Sequence, residues 1–191
     1  YICFYRINNK RMNNLHEVLP QDIVILLKMT TNSKTTWYST DLSQALKISV
    51  PEISKSLERC RKAKLLDKSN QKVNITALQN YLIHTIKFAY PIQPGEFSMG
   101  IPTAFSATPI KEQFYKGAKE FVWASQRGSL KGQTVEPLYK TVPEIAKNEP
   151  ELYELLVIVD TLRIGKEGEM EIAGKQLKIK FANYDKKELL S

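Results

Sequence analysis

The sequence predicts an α+β protein, with a helical N-terminal domain over residues 15–90 and a C-terminal α+β region with a smaller sheet over residues 91–191. Three observations support this prediction. Apolar residues recur at spacings of three and four through the first part, as on the buried face of a helix. The second part has short apolar runs between glycines and prolines, which is typical of short strands. Hydrophobic residues make up 42% of the 191-residue chain, which is enough for a packed core.

Four helices are predicted in the N-terminal domain. The third has the strongest signal, because Ser49 and Glu52 have the spacing of a capping box and Pro51 falls in the first turn. Its apolar residues, such as Ile53 and Leu57, repeat at helical spacing and are expected to face the core. The predicted ranges are 20–29, 40–46, 49–63 and 76–89.

A short two-stranded hairpin is predicted over residues 65–75, between the third and fourth helices. Leu65 and Leu66 precede a polar turn at residues 68–71, and Val73 follows it. The order of helix, helix, capped basic helix, hairpin and helix is that of a helix-turn-helix followed by a wing.

The C-terminal region is predicted to begin with irregular chain and to end with helices. Residues 120–124 are expected to form a strand, and residues 126–129 a turn. A partner strand is expected at residues 132–138. Residues 150–164 have the strongest helical pattern in this half, closed by a glycine, and a last helix is expected from residue 167 to about 179.

The charge of the chain is concentrated in its first third. The net charge is +8 and the isoelectric point is near 9.3. Residues 34–72 alone contain nine basic and four acidic residues. A basic patch on one small module indicates a polyanionic partner, although a solvated lysine-rich surface has the same composition.

Two stretches resemble bacterial regulators. Residues 37–59, read as WYSTDLSQALKISVPEISKSLER, resemble the MarR-type winged helix, in which a Leu-x-x-x-Leu-Gly-Ile-Ser phrase leads into the recognition helix. Lys47 stands where that family often has glycine, which adopts a positive φ at little cost. Residues 83–162 resemble an uncharacterised family of regulator-like helix-turn-helix proteins, through phrases such as Gly-Ile-Pro-Thr-Ala at residues 100–104.

The resemblance implies a sequence-specific transcriptional regulator that binds duplex DNA. The recognition helix, residues 49–63, is expected in the major groove, with the wing, residues 65–75, on the backbone. The sequence does not sort the contacts into those that bind phosphate and those that read bases. The predicted DNA-binding residues are Ser49, Glu52, Lys55, Ser56, Arg59, Lys62, Lys68 and Lys72.

Two other hypotheses are open. The chain can be an antitoxin-like or adaptor protein whose winged helix docks on a protein partner. It can also be an enzyme acting on nucleic acid, but it contains no Gly-x-Ser-x-Gly and no phosphate-binding glycine loop. We therefore expect no enzyme activity, no catalytic residue and no cofactor. With two histidines and two cysteines in the chain, we also expect no zinc site.

The C-terminal region is predicted to serve dimerisation, a small-molecule effector or a protein partner. A homodimer is expected, because one helix-turn-helix module buries little DNA surface. The helix with Tyr81 and Phe88 and the helix at residues 152–162 are the candidate dimer faces, with intrachain core as the alternative for both.

The cellular setting is predicted from cysteine content and hydropathy. The longest apolar runs, such as residues 23–27, have five residues, whereas a membrane span needs about 20. We therefore expect a cytoplasmic protein without a membrane partner. Cys60 lies on the apolar stripe and is interpreted as a buried thiol rather than a redox sensor. Residues 1–11 are interpreted as an extension outside the native fold.

Overall fold

A computed structural model describes residues 18–31, 36–69, 71–113 and 119–189. The extension predicted at residues 1–11 lies outside this part of the chain. Within it, helices dominate and the strands form one small sheet, so the predicted α+β class is confirmed. The helices are α1 Pro20–Met29, α2 Ser39–Leu46, α3 Val50–Lys62, α4 Ile75–His84, α5 Ile86–Ala89, α6 Val142–Ile145, α7 Pro150–Ile164 and α8 Glu167–Leu189. The strands are β1 Phe97–Pro102, β2 Phe121–Ala124 and β3 Leu130–Thr134.

The turn between α2 and α3 uses a left-handed residue that is not glycine. Lys47 has φ 55° and ψ 39° and ends α2. The side chain of Lys47 reaches Glu144 of α6, and the preceding carbonyl of Leu46 accepts a hydrogen bond from Thr141 Oγ1 at 2.8 Å. Lys47 therefore has the left-handed conformation that glycine favours.

A second left-handed lysine ends α3. Lys64 has φ 58°. Its N–H donates to the carbonyl of Arg61 at 3.1 Å, and the N–H of Leu65 donates to the carbonyl of Cys60 at 3.0 Å. These two bonds form a Schellman motif, in which glycine is the usual left-handed residue because it has no Cβ.

We expect Lys64→Gly to raise the free energy of unfolding by about 1 kcal/mol, because glycine removes the steric cost of the left-handed conformation. Lys64→Ala is the matched control, since it removes the charge but keeps a Cβ. Urea unfolding followed by circular dichroism measures both. A glycine variant no more stable than the alanine variant would contradict the prediction.

The predicted wing is shorter than a hairpin. Between α3 and α4 the ladder consists of one antiparallel bridge, from Leu66 to Val73. The N–H of Asp67 donates to the carbonyl of Lys72, and the N–H of Asn74 donates to that of Leu65, both at 2.9 Å. The Asn74 side chain then caps α4 by accepting from the N–H of Ala77 at 3.0 Å, so the second strand ends where α4 starts.

The predicted fourth helix is divided in two. α4 and α5 are separated at Thr85, which has φ −119°. The break turns α5 so that Ile86 is fully buried, and α5 packs on α7. Phe88 remains 80% exposed, and the dimer face predicted at Tyr81 and Phe88 stays a prediction.

The three strands form a small closed sheet. β1 is antiparallel to both β2 and β3, and β2 and β3 close the sheet through a short parallel pairing of Phe121 with Gln133. The sequence predicts β2 but not β1. Gly100 lies within β1, where a Cβ would stand 2.2 Å from the carbonyl oxygen of Trp123. Its role is close backbone packing inside a strand rather than a turn.

α7 is the central helix and joins both predicted parts of the chain. It packs against α1, α5 and α8, and its residues from Leu155 to Arg163 are all buried. The buried residues form one continuous hydrophobic cluster from α1 to α8. The candidate dimer face at residues 152–162 is therefore wrong, because intrachain packing already covers this helix.

A buried carboxylate on α7 organises the packing of the second half. Asp160 accepts hydrogen bonds from Thr103 Oγ1 at 2.8 Å and from Trp123 Nε1 at 2.7 Å. It also pairs with Arg163, whose Nη1 lies 2.9 Å from Oδ1. Arg163 donates further to the carbonyl of Tyr90 at 3.1 Å, so the network fixes the chain that connects the two parts.

No helix in the described ranges combines the length and the apolar character required to cross a bilayer.

Candidate nucleic-acid interface

The recognition helix predicted from the sequence presents one face to the core and one to solvent. Ile53, Leu57 and Cys60 are buried. The opposite face carries Lys55, which is exposed. This division follows the amphipathic pattern of the sequence, because residues three and four apart lie on the same side of a helix.

The capping box predicted at Ser49 and Glu52 does not form. Ser49 is the N-cap of α3, but its side chain makes no hydrogen bond to the backbone of the helix. Its hydroxyl instead donates to the Glu52 carboxylate at 3.3 Å. Both residues are exposed, so both remain accessible to a partner at the N-terminal end of α3.

Two of the predicted DNA-binding residues, Ser56 and Arg59, belong to the interior, so the prediction is wrong for both. Ser56 is 0% exposed and Arg59 is 9% exposed. Arg59 makes a two-point contact with the Asp22 carboxylate of α1, with Nε to Oδ2 at 2.8 Å and Nη2 to Oδ1 at 2.6 Å. The hydroxyl of Ser56 accepts from Arg59 Nη2 at 2.8 Å and from Gln21 Nε2 at 3.2 Å.

This network holds α3 against α1, and its key partner was missed at the sequence level. The Asp22 carboxylate also accepts from the N–H of Leu19 at 2.9 Å, so it caps its own helix as well. The available signal was a lone acidic residue at the start of a strongly apolar helix. An acid in the first turn is common on exposed helices, but on a helix that is apolar on every side it is buried and needs a basic partner.

The C-terminal end of α3 is partly neutralised by one carboxylate. Glu58 pairs with Arg61 at 2.6 Å and with Lys62 at 3.3 Å. The hydrogen bond from Arg61 lowers the pKa of Glu58, with a smaller contribution from Lys62. The charge of Lys62 is therefore partly neutralised by Glu58. Lys55 has no ion-pair partner in the described part of the chain.

The wing and the end of α3 enclose a basic groove of about 510 Å³. Five of its lining residues are basic and one, Asp67, is acidic. The basic residues are Arg61, Lys62, Lys64, Lys68 and Lys72. The structure thus brings together three of the predicted residues, Lys62, Lys68 and Lys72, and adds Arg61 and Lys64, which sequence reasoning did not select.

Asp67 shapes the wing rather than opposing the charge of the groove. Its carboxylate accepts from the N–H groups of Gln71 at 2.9 Å and Lys72 at 3.0 Å, and from the hydroxyl of Ser69. Partial burial would raise its pKa, but these hydrogen bonds, led by that of Ser69, hold the pKa of Asp67 below its usual value. The carboxylate therefore fixes the turn that carries Lys68.

Metal binding and thiol chemistry find no support in the ranges that the structure covers. Among those residues, no three His, Cys, Asp or Glu side chains lie close enough to hold a metal ion. Cys60 is fully buried, as predicted, and burial raises the pKa of its thiol, which suppresses the reactive thiolate form.

Comparisons of the chain with protein-family models, with curated proteins and with solved structures give no match.

Proposed function

We propose that this chain is a sequence-specific duplex DNA-binding transcriptional regulator that acts in the cytoplasm. In this proposal α3 lies in the major groove and the wing contacts the phosphate backbone. One observation carries the proposal: the exposed Lys55 lies two turns before Lys62 on the same face of α3, and Lys62 lines the basic groove between α3 and the wing. Lysines spread over a helix face and an adjoining turn suit the repeating negative charge of a nucleic-acid backbone.

The accessible residues divide by position. Ser49, Glu52 and Lys55 lie on the N-terminal half of α3, which is the part of a recognition helix that contacts base edges. A serine hydroxyl can bind phosphate, while a glutamate can accept a hydrogen bond from cytosine. Lys68 and Lys72 lie on the wing and are assigned to phosphates, which position the protein without reading sequence.

The likeness of residues 37–59 to the MarR-type winged helix supports the same proposal. The left-handed conformation of Lys47 fits the glycine position of that motif. The burial of Ser56 and Arg59 narrows the proposal, because only Ser49, Glu52 and Lys55 remain accessible among the residues predicted on the first three turns of α3.

The first experiment removes two exposed lysines that have no carboxylate partner in the described ranges. We expect Lys55→Ala/Lys68→Ala to weaken binding of a fluorescently labelled duplex, measured by anisotropy between low and near-physiological salt. Each lost phosphate contact makes the log–log slope of affinity against salt shallower by about 0.9. The double variant should therefore lose about 0.9 through Lys68, which is assigned to phosphate, and Lys55→Ala should weaken the preference for the cognate duplex.

The matched control is Lys166→Ala/Lys178→Ala, which removes the same charge. Both residues are exposed; Lys166 precedes α8 and Lys178 lies on it, and α8 packs on α4 and α7. The titration uses a random duplex and the duplex upstream of the protein's own gene, and preference for the upstream duplex would establish sequence specificity. Absence of wild-type binding to both duplexes at low salt would overturn the proposal.

The second candidate function is docking on a protein, as an antitoxin-like or adaptor component. It is favoured by two exposed apolar side chains near the N-terminal ends of α2 and α3, Tyr38 at 64% and Val50 at 40% exposure. Binding through such residues is apolar and changes little with salt. If the chain retains a protein partner at high salt and has no affinity for duplex DNA, this function is favoured over the first.

A further inference from the structure

A second basic cleft lies on the C-terminal half, next to the turn between α2 and α3. It has a volume of about 460 Å³. Three of its lining residues are basic and exposed, Arg127, Lys140 and Lys147, and one is acidic, Glu144. Lys47 already binds that carboxylate, so the charge left in the cleft is positive.

The cleft is fixed to the helix-turn-helix by direct contacts. α6 packs on α2. The bond from Thr141 to the carbonyl of Leu46 and the Lys47–Glu144 pair both join the two halves at the residues just before α3. The cleft therefore adjoins the N-terminal end of α3, whereas the basic groove adjoins its C-terminal end.

The wall that carries Arg127 is also held in place. The N–H of Arg127 donates to Ser125 Oγ at 3.3 Å, and the N–H of Gly128 donates to the Ser125 carbonyl at 3.0 Å. Lys147 Nζ lies 3.4 Å from the carbonyl oxygen of Arg127, which ties the segment after α6 to this turn. A guanidinium on a fixed turn can bind a phosphate through two parallel hydrogen bonds.

The length of α3 can be compared with the width of the major groove of duplex DNA. α3 has 13 residues, and at 1.5 Å per residue it is about 20 Å long. A major groove is about 12 Å wide and is bordered by a phosphate backbone on each side. A helix of this length that crosses the groove reaches from one backbone to the other, so a basic region near each of its ends can meet phosphates on each side.

We infer that the second basic cleft binds the phosphate backbone on the side of the major groove opposite to the one contacted by the wing. This inference rests on the proposed function and deepens it, because it adds Arg127, Lys140 and Lys147 to the interface. Phosphate contacts at both ends would fix the register of α3 in the groove. The C-terminal half then contributes directly to DNA binding.

The test uses the full chain and the variant Arg127→Ala/Lys140→Ala, with the same two labelled duplexes. We expect a salt slope shallower by about 1.8, on both duplexes alike. Lys166→Ala/Lys178→Ala is again the control and should keep the wild-type slope. The variant Arg127→Lys/Lys140→Arg keeps the charge and should retain most of the slope.

Hydroxyl-radical footprinting gives an independent readout. The wild type should protect sugars on both sides of one major groove, and Arg127→Ala/Lys140→Ala should lose protection on one side only. If the wild type binds DNA and Arg127→Ala/Lys140→Ala has the same salt slope and the same footprint, this inference is overturned. The proposed function is then unaffected. A wild type that binds no duplex would overturn both.

Discussion

Replacing Arg59 by alanine is expected to lower the free energy of unfolding by about 3–5 kcal/mol, because it leaves a buried carboxylate without its cation. The Asp22 side chain is 0% exposed and its two oxygens are both bound by the guanidinium. Because Asp22 is fully buried, water can solvate its carboxylate in the variant only if α1 and α3 move apart. Urea unfolding of Arg59→Ala and the wild type measures the difference.

Two further variants separate the ion pair from other effects of the substitution. Lys55→Ala, on the exposed face of the same helix, should change stability by no more than about 0.5 kcal/mol. The pair Asp22→Leu/Arg59→Met removes both charges and should recover much of the loss, because buried ion pairs are often no better than apolar packing. An Arg59→Ala loss below about 1 kcal/mol would contradict the buried-pair interpretation.

The interior position of Arg59 also affects how the DNA-binding data of its variants are interpreted. A loss of binding in Arg59→Ala would follow from the smaller folded fraction, whereas a loss in Lys55→Ala would report on the surface itself. Because Arg59 is interior, a Lys55→Ala/Arg59→Ala double variant would confuse the two effects. Lys55 and Lys68 are the cleaner pair, since both side chains are exposed.

The second large effect is expected at Asp160. Asp160→Ala should lower the free energy of unfolding by about 3–5 kcal/mol, since it leaves the Arg163 guanidinium buried and unpaired. It also removes the acceptor for Thr103 and Trp123, which are buried donors. Burial raises the pKa of Asp160, and Arg163 and the two donors oppose this rise.

Graded substitutions test whether the network acts as a unit. Thr103→Val removes one donor and should cost about 1 kcal/mol. Asp160→Asn keeps the shape but not the charge, so it should lie between Thr103→Val and Asp160→Ala. Each variant is measured by urea unfolding. A loss in Asp160→Ala no larger than that in Thr103→Val would show that the carboxylate does not hold the network together.

Helix positions were largely predictable from the sequence because they depend on local chemistry. α1 and α7 occur over the predicted residues, and α2 and α3 differ by a residue at their ends. Apolar spacing, prolines in the first turns and a glycine after α7 are all short-range signals. The break at Thr85 was not predicted, because it arises from the docking of α5 on α7.

The sheet shows the limit of local signals. β1 contains Gly100 and Pro102, which read as irregular chain, yet the glycine is needed where two backbones touch. The parallel closure of β2 on β3 joins residues whose pairing depends on the curvature of the whole sheet. Neither strand β1 nor the parallel pairing of β2 with β3 has a hydrophobic period or a turn sequence by which it could be predicted.

The helical order of the first half, the basic character of residues 34–72 and the amphipathic division of α3 all follow from the amino-acid sequence. Which of the basic residues are accessible depends on the packing of the folded chain. Arg59 and Lys55 lie on the same helix and carry the same charge, but one faces Asp22 and the other faces solvent. The physical reason is that burial of a charge depends on a partner from a distant segment. The same reason applies to the second basic cleft, which lies near the turn between α2 and α3 only because α6 packs on α2.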